Sequence, residues 1–128
     1  MKPEKILYEY AIIRFVPKVE REEFINIGVI IFSKSEKFLK VKYFLNEQRI
    51  NAFVHDFDLN FLDSNLKALS QIAEGSNPFS DVSKFEIHER FRWLTAVRSS
   101  CIQTSRPHPG KTYNLDRKLN ELYKEYIV

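Results

Sequence analysis

The chain has little of what would narrow its chemistry at once. A single cysteine, Cys101, among 128 residues excludes an intrachain disulfide and cannot by itself build a zinc site. Three glycines and five prolines exclude low-complexity linkers and collagen-like repeats. The longest unbroken apolar run, Ile27 to Phe32, falls far short of the about 20 residues that cross a bilayer, so no membrane partner is expected. Met1-Lys-Pro-Glu-Lys leads into alternating residues instead of an apolar signal core, which places the expected protein in the cytoplasm. No glycine-rich phosphate loop is present, because Gly110-Lys111 lacks the upstream glycine of a P-loop, and no cofactor is expected. What is present, 44% hydrophobic and 29% charged residues, is the usage of one globular domain spanning 1–128 without a linker.

Charge is unevenly placed. The formal net charge is only +3, yet Lys and Arg number nine against six acids in residues 1–45, three against eight in 46–89, and eight against three in 90–128. Between Arg90 and Lys111 stand Arg90, Arg92, Arg98, Arg106 and Lys111 with no acid at all. Four of these five are arginines, whose planar fork suits phosphate and carboxylate better than the point charge of lysine. Arg14 is a further cation, embedded in an apolar segment where it must be paired or face an open site; Glu22 and Glu23 in the following turn are its candidate partners.

Periodicity predicts the elements. Residues 8–17 read as a strand ending at Pro17, 24–33 as a central strand apolar on both faces, and 38–45 as a strand wet on one face, together an antiparallel meander. Gly28 inside the second strand implies a bulge or a close approach. Asn46 caps a short helical turn carrying Ile50 and Phe53, Asp58 caps a longer helix that Gly75 ends, and Asn114 caps a last helix through Leu115, Leu119, Leu122 and Tyr126. Ser83 with Glu86 reads as a capping box before a helix carrying Phe91 and Leu94. Residues 99–106 supply a fourth strand, and the prolines of 106–111 predict a loop leading to the last helix. The expected class is α+β, a small antiparallel sheet with about three helices on one face.

The chemistry-bearing residues allow few reactions. His55-Asp56 with Asp58 resembles half of a metal-phosphohydrolase pair, but further histidines are needed, and Asp58 is better explained as a helix cap; no metal site is expected. Cys101 in a β-rich segment is expected to be a small core residue, and no catalytic residue is assigned. The Arg106–Lys111 segment beside the N-terminus of the last helix could bind an anion. Glu89 to Thr95 interleaves arginines with aromatics, as nucleic-acid surfaces do, although helical geometry sends Arg90 and Arg92 to different sides and Phe91 into the core.

Three long segments, Tyr10 to Pro17, Glu20 to Ile30 and Glu89 to Ala96, together with Arg98-Ser99, Gln103 and the His108 to Gly110 stretch, resemble the bacterial family catalogued as domain of unknown function 3037. Val97 stands where that pattern carries proline. The resemblance implies a small bacterial cytosolic protein and, as a partner, a kinase similar to the HipA toxins. The expected function is a binding or interaction module that recognises an anionic group, nucleic acid backbone or an acidic protein surface, through Arg14, Arg90, Arg92, Arg98, Gln103, Arg106, His108 and Lys111. The rival expectation is a metal-independent enzyme on phosphate esters, with His108 as acid or base and Arg92 and Arg98 on the oxyanion.

Overall fold

In a computed structural model, residues 4–96 and 100–128 are described. Strands β1 (Ile6–Phe15), β2 (Ile25–Ser33) and β3 (Phe38–Tyr43) form the expected meander. Helices α1 (Glu47–Phe53), α2 (Leu59–Glu74) and α3 (Ile87–Leu94) follow, then β4 (Ile102–Thr104), β5 (His108–Thr112) and α4 (Leu115–Tyr126). The class is α+β: an open antiparallel sheet in the order β3-β2-β1, with β4 and β5 both paired to the far side of β1.

The helix ends form for local reasons. Asn46 accepts from the Arg49 amide, Asp58 from the amides of Asn60 and Phe61, and Asn114 from the Arg117 amide, so each satisfies a first-turn donor that has no partner within its helix. Gly75 ends α2 at φ 75°, the left-handed geometry that glycine adopts without a Cβ clash. The expected capping box is not formed. Residues 81–84 make a 3-10 turn, Ser83 accepts instead from the Asn77 amide at 2.9 Å, and Glu86 precedes α3 without a side-chain cap.

Two slips of one residue shape the sheet. Ile13 pairs with Gly28 but Arg14 with Asn26, which leaves Ile27 as a bulge on β2. The bulge shifts the alternation, so Ile25 and Ile27 join Ile30 and Phe32 on one face while Val29 and Ile31 turn to the other, unlike the strict alternation of an unbulged strand. Gly28 beside it is closely approached as expected: a Cβ there would lie 2.9 Å from Tyr43 Cβ and 3.0 Å from the Lys42 carbonyl oxygen.

The second slip separates β4 from β5. Ile13 pairs with Thr104 and Tyr10 with His108, so Ala11 and Ile12 face three residues, Ser105, Arg106 and Pro107. Ser105 spans the mismatch: its amide donates to the Ile12 carbonyl and its Oγ accepts from the Ile12 amide, both at 2.8 Å. Most of the expected 106–111 loop is therefore strand. Pro109 is tolerated because β5 is an edge strand, where a missing N–H can face away from the ladder.

The helices divide between the two faces. The expectation of helices on one face holds for the larger core, where α1, α2 and α3 cover Ile13, Phe15, Ile27, Ile30 and Phe32. α4 covers the other face, packing Leu115, Leu119 and Leu122 on Tyr8, Ile12, Val29 and Ile31. The reason is that β1 and β2 are apolar on both sides, and a face carrying Ile12, Val29 and Ile31 must also be removed from water. No helix among the described residues is long and apolar enough to cross a membrane.

Candidate functional site

On the α3 side the helices stop short of the start of β1. Phe91 stacks on Phe32 with ring centroids 4.7 Å apart and fixes α3 over the sheet, but Leu7, one strand position from the buried Tyr8, remains 59% exposed. The result is a cleft of about 830 Å³, a size suited to a ligand or a short peptide segment. Its floor is Leu7, Tyr8, Phe32, Phe91, Pro107 and Pro109, and its polar lining includes Glu9, Lys34, His88 and Arg92. One rim is pinned, because Ser33 Oγ donates to the Leu7 carbonyl at 3.0 Å and ties the turn carrying Lys34 to β1. His88 lies 3.5 Å from Glu86 and 3.9 Å from Glu89, whereas Arg92 and Lys34 form no ion pair among the described residues.

The sequence-derived candidates do not gather in one place. Arg92 lines the cleft, and Lys111 stands at its margin as the cross-strand partner of Leu7. Arg90 is structural: it donates to the carbonyls of Phe85 at 2.9 Å and Ala73 at 3.4 Å, tying the start of α3 to the end of α2. Arg106 is exposed within the β4–β5 slip. His108 sits on the α4 side of the sheet, its ring 5.3 Å from that of Tyr10. Arg14 and Gln103 are direct cross-strand partners on that same side, four positions along β1 from Tyr10, roughly 13 Å at strand rise. Arg98 lies outside the described residues.

The expected partners of Arg14 do not engage it. Glu23 pairs with Arg21 at 3.1 Å, and Glu22 takes a left-handed backbone at φ 55°. Phe24 stacks on the Arg14 guanidinium instead, 4.2 Å from ring centroid to Cζ, and Asn26 lies across the strand pair. Asn26 stands out in the sequence as a polar residue inside an apolar run, but only the register sets it opposite Arg14. For the cleft, Leu7, Glu9, Lys34 and His88 carried no local signal, since being left uncovered is a property of where α3 ends.

Other groups are placed for packing. Burial pushes the Cys101 thiol up from its ordinary value, away from the thiolate a nucleophile needs. Asp58 is committed to the α2 cap, and no cluster of three metal-ligating side chains occurs among the described residues. Burial, reinforced by a hydrogen bond with Tyr126, raises the Tyr10 hydroxyl to about 12. The anion site expected ahead of α4 meets a helix end already capped by Asn114.

These features define an α+β protein with its sheet between two helical layers and a polar-rimmed apolar cleft beside α3. The chain belongs to the family described as Protein of unknown function (DUF3037), whose profile matches residues 10–127. No curated protein matches it, and no solved structure does.

Proposed function

We propose that the chain is a binding module that takes an apolar segment of a partner protein in the α3 cleft and meets an acidic group on that segment with Arg92 and Lys34. The observation that carries this is the exposed apolar lining, Leu7 with Pro107 and Pro109, beside two cations that form no ion pair among the described residues. Burying such a floor supplies the affinity, and charge at the rim supplies selectivity and speed of encounter. Glu9, across the floor, suits the segment's backbone amides or a basic side chain. Nucleic acid is the weaker reading, because a phosphate track needs successive cations along one surface and the candidate arginines lie on both faces of the sheet. We place the module in the bacterial cytoplasm, with a kinase similar to the HipA toxins as the first partner to try.

A random displayed-peptide library panned on the whole protein tests this. Enriched peptides are expected to combine Leu, Ile or Phe with Asp or Glu, and to lose binding to the Leu7→Ser and Arg92→Ala variants. Enrichment indifferent to both substitutions would overturn the assignment. So would binding of single-stranded oligonucleotides that falls steeply with salt and ignores Leu7→Ser.

A further inference from the structure

On the opposite face, beyond the end of the α4-covered core at Ile12 and Val29, Arg14 is half-buried with its Nε shut off from solvent and without an acceptor. Among the described residues it forms no hydrogen bond or ion pair, although a cation withdrawn from water normally keeps one. Arg14 Cζ lies over the Phe24 ring, which covers one side of the guanidinium without offering it an acceptor, and of its nitrogens only Nε is shut off, so the two Nη groups are the donors open to a ligand. Asn26 turns its Oδ1 inward with no donor, which leaves its amide NH2 as the outward end beside Arg14. On the other side Gln103 is held in place by donating its Nε2 to the Ser100 carbonyl at 2.9 Å.

We infer that Arg14, Asn26 and Phe24 form a second, separate site, one that binds a carboxylate. The open groups are donors, as an anion requires, and the fork matches two carboxylate oxygens. Among the described residues the cross-strand neighbours on both sides are neutral amides, so they add no second charge to that of Arg14. That charge balances a carboxylate and leaves a phosphate, with about −1.5 to −2, under-compensated. A half-buried position strengthens the pair relative to one in open water.

The test is a ¹H–¹⁵N NMR titration of the whole protein with sodium acetate, with sodium phosphate and with sodium chloride at matched ionic strength, following the Arg14 Nε–H and Asn26 side-chain amide signals. Acetate is expected to give a saturating shift, phosphate a weaker response and chloride none. Arg14→Lys keeps the charge but loses the fork and should weaken acetate about tenfold or more. Phe24→Ala should weaken it several-fold, and Arg92→Ala should leave it unchanged, so the result does not depend on the cleft. Linear shifts common to acetate and chloride overturn the site, as does an acetate response that survives Arg14→Lys. Tighter phosphate binding overturns the carboxylate assignment. If Arg14→Lys fails to fold, Phe24→Ala decides, and an unchanged acetate affinity in it overturns the proposal.

Discussion

Replacing Ser105 by alanine should cost this fold far more than the loss of one hydroxyl suggests. Ser105 and Ile12 are each 7% exposed, and Ser105 Oγ accepts from the Ile12 amide at 2.8 Å while donating to the Arg106 carbonyl at 3.1 Å. The slip between β4 and β5 leaves no backbone carbonyl in register for that amide, so the hydroxyl takes the carbonyl's place in the ladder. In Ser105→Ala a buried N–H loses its partner, a loss of about 1–3 kcal/mol. Taking roughly 2 kcal/mol and a urea slope of about 2 kcal/mol/M, the midpoint should fall by about 1 M. Exchange of the Ile12 amide with solvent should accelerate roughly thirtyfold, because each 1.4 kcal/mol is about a factor of ten. Urea unfolding followed by circular dichroism, with NMR hydrogen exchange at Ile12, measures both. An unchanged midpoint together with a still-protected Ile12 amide would refute the reasoning, since it would mean that the edge re-registers and supplies a carbonyl at no cost.

Gly28→Val should destabilise by about 1–3 kcal/mol in the same urea assay, since the atoms nearest the new Cβ, Tyr43 Cβ at 2.9 Å and the Lys42 carbonyl oxygen at 3.0 Å, cannot swing aside as a side-chain tip would. A wild-type midpoint would contradict that packing. The Tyr10 hydroxyl, raised to about 12 by burial and by the bond with Tyr126, predicts alkaline lability. A raised folded-state value means that the neutral form is the one favoured in the fold, so its contribution is complete below about 10, the ordinary tyrosine value, and is lost as pH climbs from 10 to 12. Tyr43 is also held up, by burial and then by Asp63, so absorbance titration near 295 nm should show a late-ionising component that loses one tyrosine in Tyr10→Phe; simultaneous ionisation of all the tyrosines near 10 would contradict the placement.

Some of this protein is written within a few residues of chain. Asn46, Asp58 and Asn114 cap their helices and Gly75 ends α2, because a side chain three residues from an unsatisfied amide, or a residue without a Cβ, acts whatever the rest of the fold does. The alternating apolar runs of residues 8–45 likewise make strands joined by short turns, and short turns make them antiparallel. The two-sided hydrophobicity of β2 was legible as well, as was the crowding at Gly28. Residues 106–111 mislead a local reading because prolines oppose a strand, while the open edge of β1 pairs with His108 to Thr112, Pro109 included. Charge alone makes Arg90 look like an anion binder, and only the meeting of α2 with α3 turns its donors onto the Ala73 and Phe85 carbonyls. Which face each side chain occupies hangs on the whole-residue slips at Ile27 and at Ser105–Pro107. Such a slip is decided by pairing between segments tens of residues apart, and a shift of one residue exchanges the faces of every side chain beyond it. Those slips set Arg14 beside Asn26, and the packing that leaves the start of β1 bare opens the cleft at Arg92, so both sites belong to long-range register and coverage, which no local pattern encodes.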